Sequence, residues 1–202
     1  MNATMSLTAK PRREPEKFIE PEKPRYPKTI EEFLSWKPED GFKYEWNDGV
    51  LEKTPKMITF KTLYIVETLN WHFFHLLPKL PQRGCLFTEP QANTSIKQVR
   101  VPDMAYYTSA QIGEAAKGGT PVPGFAIELV SDNDLYKHVF GKLEEYFRAG
   151  VQIVWIIDPF LKKVNVFTAP DQVSICSGAR LCSAEPVIPG YVISVDDIFK
   201  EP

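Results

Sequence analysis

The chain has 202 residues, of which 43% are hydrophobic and 25% are charged, a composition typical of a globular protein. Its formal net charge is −2, which excludes binding to nucleic acid through an overall basic field. Binding to nucleic acid would instead need a local basic patch or metal ions that bridge the protein to phosphates. Three scattered cysteines and the lack of signal-peptide or membrane-span apolar runs favour a cytoplasmic protein without membrane association.

Residues 1–27 are predicted to form a disordered or extended arm. The segment contains five prolines and alternating charges, so it has little apolar surface to bury. Contact with a partner or with DNA is the alternative role, because the arm carries several basic residues, including Lys10, Arg12, Arg13 and Lys17. Residues 28–202 are predicted to form a single domain, since this length suits one hydrophobic core and no internal repeat is evident.

Three elements are predicted in the first part of the domain. Thr29 is a helix N-cap residue that begins a short helix through Trp36. The sequence Asn47-Asp48-Gly49 between two apolar runs predicts a two-stranded hairpin. A longer amphipathic helix of about 18 residues is predicted to end before Pro78. Its apolar residues recur at steps of three and four: Leu63, Val66, Leu69, Phe73 and Leu76.

The second part of the domain has mostly strand-like sequence. Strands are predicted over residues 84–108, followed by a loop with a helical turn over 109–123. A strand, a helix and a second strand follow over 124–131, 134–149 and 151–158. Such a crossover joins parallel strands. A further hairpin and weaker strands complete the order, which predicts an α/β fold with a central mixed sheet flanked by helices.

Glu128 is the first candidate functional residue. It stands between Ile127 and Leu129 in an apolar strand, where an unpaired ionised carboxylate would cost several kcal/mol. A bound cation is one way to stabilise it, and a salt bridge to an arginine or lysine is the other.

Asp103 is a second carboxylate in a strand-like apolar setting, between Pro102 and Met104. Two carboxylates on adjacent strands repel each other unless a cation or a shared proton lies between them. Magnesium prefers such oxygen ligands, completed by water and phosphate oxygens. The alternative for Asp103 is a turn aspartate at the start of a strand.

Lys142 lies on the predicted helix at the edge of its apolar stripe, so its ammonium group can reach the margin of the sheet. The alternative is a surface lysine whose methylene groups cover the core.

Taken in order, these residues lie in short motifs that resemble the Uma-type restriction endonuclease family, within the PD-(D/E)XK nuclease superfamily. The resemblance runs from about residue 29 to 199. Its motifs are Tyr44–Gly49, Val101–Tyr106, Ala126–Asp134, Lys142–Val151, Val154–Pro159, Pro189-Gly190 and Asp197–Phe199.

The resemblance implies a restriction-endonuclease-like core that hydrolyses phosphodiesters with magnesium, or with manganese in its place. It implies that Asp103 and Glu128 bind the metal, together with the backbone carbonyl of Leu129. The usual superfamily lysine position is Val130 here, and families of this type supply the lysine from the following helix, which points to Lys142. Glu45 would be an accessory acid near the metal. The alternative is that Glu45 is an exposed hairpin residue without a role in the site.

Three functions remain open from the sequence. The first is an active DNA endonuclease, acting as a homodimer if it cuts both strands. The second is a nuclease-fold module that binds nucleic acid or protein without cleavage. Two observations leave this possibility open: the net charge is near neutral, and His138 stands where members of the family often have an acidic residue. The third is a dimerisation protein whose Glu128 pairs with an arginine. A basic strip for DNA is predicted from Lys97, Arg100, Lys117, Lys137 and Arg148.

Overall fold

The computed structural model describes residues 26–56, 58–130 and 136–201, with the backbone alone for 136–138. The helices are α1 (Ile30–Ser35), α2 (Leu63–Leu76), α3 (Ser109–Ala115), α4 (Tyr136–Ala149) and α5 (Val195–Ile198). The first six strands are β1 (Lys43–Asn47), β2 (Val50–Thr54), β3 (Gly84–Thr88), β4 (Ala92–Ser95), β5 (Gln98–Arg100) and β6 (Met104–Thr108). The other six are β7 (Phe125–Leu129), β8 (Ile153–Asp158), β9 (Lys163–Ala169), β10 (Gln172–Ser177), β11 (Leu181–Ser183) and β12 (Val192–Ser194).

The main sheet is mixed and has six strands in the order β10-β9-β8-β7-β6-β3. β7 and β8 are parallel, as the predicted crossover through α4 requires, and the other neighbours in this sheet are antiparallel. A second sheet has the order β2-β1-β5-β4. The predicted mixed sheet with flanking helices is therefore confirmed.

The main sheet is covered on both faces, by α2 on one and by α4 on the other. Successive side chains of a strand point to opposite faces, and β7 divides accordingly. Phe125, Ile127 and Leu129 pack in the core with α2, whereas Ala126 packs with α4. This alternation places Glu128 on the face of α4.

The β1–β2 hairpin forms at the predicted Asp48-Gly49 turn. Asn47 pairs with Val50, and the two turn residues have φ angles of 46° and 89°, as a type I′ turn requires. The hairpin presents alternate residues of β1 to different partners. Tyr44 and Trp46 pack with α1, so Lys43 and Glu45 lie on the other face.

Two predicted elements differ from the structure. The helix predicted at about 18 residues has 14 as α2, and a 3₁₀ turn follows over Leu77–Lys79 with Pro78 in its first turn. A proline fits there because its missing N–H would have had no partner. The predicted loop after residue 108 begins with α3, which a capping box between Thr108 and Gln111 stabilises.

Some predictions fall on residues outside this description. Residues 1–25 of the predicted arm, the last residue of the strand predicted over 124–131 and the start of the helix predicted over 134–149 are among them. The division into an arm and one domain at residue 28 stays a prediction. Across the described residues, no helix has both the length and the apolar character to cross a bilayer.

Candidate active site

Two carboxylates meet on one face of the main sheet because of the register of β6 and β7. Met104 lies opposite Ile127 in this antiparallel pair, so continuing the register by one residue places Asp103 opposite Glu128. Side chains directly opposite each other in such a pair lie on the same face. Both residues are buried, with exposed fractions of 0% for Asp103 and 8% for Glu128. The sheet thus brings together two acids that are 25 positions apart in the sequence.

Asp103 accepts hydrogen bonds through both carboxylate oxygens. The backbone N–H of Leu129 donates to Oδ2 over 2.8 Å, and Lys43 Nζ donates to Oδ1 over 2.7 Å. Burial and the negative charge of Glu128 raise the pKa of Asp103 to about 6, against the opposing effect of Lys43. A simple turn aspartate does not account for complete burial beside a second carboxylate.

Glu128 is held by a phenol and a lysine. The Tyr146 hydroxyl donates a hydrogen bond of 2.6 Å to Oε1, and Lys43 Nζ lies 3.9 Å from Oε2. Burial and the charge of Glu128 raise the pKa of Tyr146 well above its ordinary value, so the phenol remains a donor. Within the described residues, the cation nearest to Glu128 is a lysine shared with Asp103, and not the arginine expected of a structural ion pair.

Lys142 of α4 pairs with Glu45 of β1. Its Nζ lies 2.9 Å from Oε2 and 3.1 Å from Oε1 of Glu45. Burial by itself lowers the pKa of Lys142, but the carboxylates of Glu128 and Glu45 outweigh it and hold that pKa above its ordinary value. Lys142 therefore carries a positive charge at neutral pH, next to the two paired acids.

Glu45 has no exposed surface, so the alternative of an exposed hairpin residue is wrong. Its Oε1 also accepts the backbone N–H of Val101 over 2.9 Å, and its Oε2 lies 3.2 Å from Arg100 Nη1. Burial alone raises the pKa of Glu45, but Lys142, Lys43 and Arg100 outweigh it and hold the pKa below its ordinary value. Glu45 thus contacts Lys142 directly, and this contact fits a role in supporting Lys142.

Arg100 lies at the centre of an ionic cluster that links β2, β5 and α4. Its Nε and Nη2 lie 2.6 Å and 3.0 Å from the two carboxylate oxygens of Glu145, and its Nη1 also bonds Glu52. The side chain is buried, so the prediction that Arg100 lines a basic strip for DNA is wrong. Lys97, Lys117 and Arg148 are exposed, and the side chain of Lys137 lies outside the described part of the chain.

Two residues of the site were not predicted from the sequence. Lys43 precedes the family motif Tyr44–Gly49 by one residue, and Tyr146 lies within the motif Lys142–Val151 but was not named as a candidate. A signal for Lys43 did exist. It alternates with Glu45 in a strand where the aromatic residues Tyr44 and Trp46 hold the positions between and after them. Two opposite charges on one face of a buried strand indicate ionic partners elsewhere in the fold.

The donor set of Asp103 and Glu128 fits a hard divalent cation. Both groups are carboxylates, and they already share the ammonium group of Lys43. No group of three or more His, Cys, Asp or Glu side chains suited to a metal occurs in the described residues. A magnesium ion would therefore rely on further oxygens, as it commonly does with water and phosphate. Leu129 lies beside Glu128 at the end of β7, and the role of its carbonyl as a ligand stays a prediction.

Comparisons with known proteins agree with this architecture. The crystal structure of "a putative nuclease belonging to DUF820" from Anabaena variabilis ATCC 29413 has a TM-score of 0.70 and 21% sequence identity to this chain. The match covers 86% of this chain and 98% of the other, and at this identity it shows a shared fold. A search of curated proteins found no match. The family model described as "Uma2: Putative restriction endonuclease" matches residues 30–196, and the chain therefore belongs to the Uma2 family.

Proposed function

We propose that this protein is an endonuclease that hydrolyses DNA phosphodiester bonds with magnesium, or with manganese in its place. One observation carries the proposal. Asp103 and Glu128 lie opposite each other on one sheet face. The charged Lys142, held by Glu45, is close enough for the charge of Glu128 to raise its pKa. Two adjacent acids can hold a divalent ion for the hydrolysis of a phosphodiester, and a charged lysine can stabilise negative charge on the phosphate.

Each residue of the site has a distinct proposed role. Asp103 and Glu128 would hold the metal, with the Leu129 carbonyl as a further oxygen ligand. A bound divalent ion supplies a water of lowered pKa and neutralises charge on the phosphate. Lys142 stabilises the negative charge that develops on the phosphate oxygens, because its ammonium group stays protonated. Glu45 keeps Lys142 in position through its two close contacts.

The test is cleavage of supercoiled plasmid by the full chain with magnesium or manganese. Glu128→Gln and Lys142→Met remove one charge each from the site, and Lys163→Met removes an exposed lysine at the start of β9. We expect the wild type and Lys163→Met to nick the plasmid and the two site variants to lose at least about a hundredfold in rate. A folded wild type that is inert with both metals would overturn the proposal, as would full activity in Glu128→Gln.

A non-cleaving module that binds nucleic acid or a protein is the second candidate. The observation that favours it is Lys43, which already provides a cation between the two acids. An inert wild type that still retards duplex DNA on a gel would select this function. For the endonuclease, and for a module that binds nucleic acid, we propose DNA as the partner. We also propose a cytoplasmic location and, for cleavage of both strands, a homodimer.

A further inference from the structure

Lys43 is buried between the two acids of the site. Its side chain is 5% exposed, while those of Asp103 and Glu128 are 0% and 10% exposed. Its ammonium group lies 2.7 Å from Asp103 Oδ1 and 3.9 Å from Glu128 Oε2. A cation placed in this way offsets the repulsion between two carboxylates that are buried side by side.

The hairpin explains how the lysine comes to be there. Lys43 and Glu45 lie on one face of β1, two positions apart, so a single strand brings a cation to the acids and an acid to Lys142. The opposite face of β1 packs against α1 through Tyr44 and Trp46. This packing fixes the depth at which the lysine enters the site.

The charges around the site do not balance even with Lys43 in place. Two neighbouring groups of described ion pairs, one around Lys43 and one around Arg100 and Lys142, together contain five carboxylates and three cationic side chains, which gives a formal charge of −2. The acids are Glu45, Glu52, Asp103, Glu128 and Glu145, and the cations are Lys43, Arg100 and Lys142. Arg100 and Lys142 bind the acids outside the pair. Lys43 is therefore the cation that contacts Asp103 and Glu128, the two acids that would hold a divalent ion.

We propose that Lys43 is an internal competitor for the metal: it pairs Asp103 with Glu128 in the metal-free protein and is displaced from Asp103 when a divalent cation binds. This inference rests on the proposed function, because it concerns the same two carboxylates. It adds a positioning residue that controls how readily the metal enters. Metal binding then carries the cost of breaking a 2.7 Å ion pair, which weakens affinity for the metal and keeps the acids paired without it.

The test measures Mn²⁺ affinity by calorimetry with the full chain. Lys43→Met removes the charge and keeps much of the side-chain length, Lys43→Arg keeps the charge, and Lys163→Met is the matched control for loss of an exposed lysine. A positive charge beside a carboxyl group commonly lowers its affinity for a proton by about tenfold or more, and the same repulsion acts on a metal cation. We therefore expect Lys43→Met to bind Mn²⁺ about tenfold more tightly than the wild type, with Lys163→Met unchanged and Lys43→Arg no tighter. Equal or weaker binding by Lys43→Met would overturn the inference.

Plasmid cleavage by the wild type separates this inference from the proposed function. Cleavage by the wild type with unchanged affinity in Lys43→Met would remove the competitor role alone. A wild type that neither binds Mn²⁺ nor cleaves, with binding gained in Lys43→Met, would support the competitor role and remove the nuclease function. No binding in either protein would remove both.

A measurement on the wild type covers the case in which Lys43→Met does not fold. Acetylation of lysine amines by acetic anhydride, followed by peptide mass spectrometry, reports how accessible each amine is. We expect Lys43 to be protected without metal and to be modified at least several times faster with saturating Mn²⁺, while Lys163 is modified equally in both conditions. Protection of Lys43 that does not change with bound Mn²⁺ would show that the lysine is not displaced.

Discussion

Tyr146 of α4 donates a 2.6 Å hydrogen bond to Glu128 of β7, and Tyr146 is fully buried. This bond joins the helix and the strand of the crossover at the residue proposed to hold the metal. It also occupies one of the two oxygens of Glu128. The direction of the other oxygen, toward Lys43 and Asp103, therefore depends on the tyrosine.

Tyr146→Phe tests this relationship. The variant keeps the ring in the core and leaves Glu128 without its donor, so we expect a loss of about 1.5–3 kcal/mol in the free energy of unfolding, the range for hydrogen bonds to charged groups. Mn²⁺ affinity should also fall, because Glu128 Oε1 is no longer oriented. Chemical denaturation and calorimetry measure the two effects. Unchanged Mn²⁺ affinity with reduced stability would assign the bond to the fold alone.

Glu45→Gln should change stability in a manner that depends on pH. Because the folded state holds the pKa of Glu45 below its ordinary value of 4.5, the ionised group stabilises the fold above pH 4.5, and this contribution disappears as the pH falls through the folded-state pKa. Near pH 7 we expect the variant to be about 3–5 kcal/mol less stable, because Arg100 and Lys142 lose a buried partner. Urea denaturation of both proteins from pH 3 to 8 measures the difference, which should shrink in acid. A difference that stays constant with pH would show that the charge of Glu45 is not the cause.

Arg100→Met should destabilise the protein more than any surface lysine substitution. The guanidinium group is shared by Glu45, Glu52 and Glu145. Its removal leaves Glu145, whose side chain is largely buried, without its arginine, and it leaves Glu45 with Lys142 alone among its described ion-pair partners. We expect a loss of about 3–5 kcal/mol in the free energy of unfolding. Lys163→Met is the exposed control, and thermal and urea denaturation give the comparison. Equal stability of Arg100→Met and the control would contradict a structural role for this cluster.

Gly49→Ala tests the turn that sets the hairpin register. Gly49 has a φ angle of +89° and nothing within 4 Å of an added Cβ, so the cost comes from backbone strain and not from a clash. We expect about 1 kcal/mol of lost stability. Gly113→Ala in α3 is a matched control, because it also has open space around a Cβ and no positive φ. A stability loss in the control as large as in Gly49→Ala would argue against strain at the turn.

The sequence alone was sufficient for the elements whose causes are local. The Asn47–Gly49 turn, the Thr29 cap and the apolar crossover over 124–158 were predicted, since turn chemistry, capping and hydrophobic periodicity act over a few residues. α2 ends before Pro78, as predicted, but it has 14 residues and not about 18, because hydrophobic periodicity identifies the apolar face of a helix and not its first residue. The candidate acids Asp103 and Glu128 were also named from the sequence, because charge in an apolar strand is costly and the motif order matched a family.

Only the tertiary structure decided which side chains meet. The partners of the acids come from elements that no local rule joins: Lys43 is 60 positions from Asp103, and Lys142 is 97 positions from Glu45. Strand register and the packing of α4 bring them within contact distance, and the same packing buries Arg100 away from solvent. Ionic pairing inside a protein depends on distance in space and on burial, because a low-dielectric interior strengthens close charges and penalises unpaired ones. Neither quantity can be obtained from the order of residues along the chain.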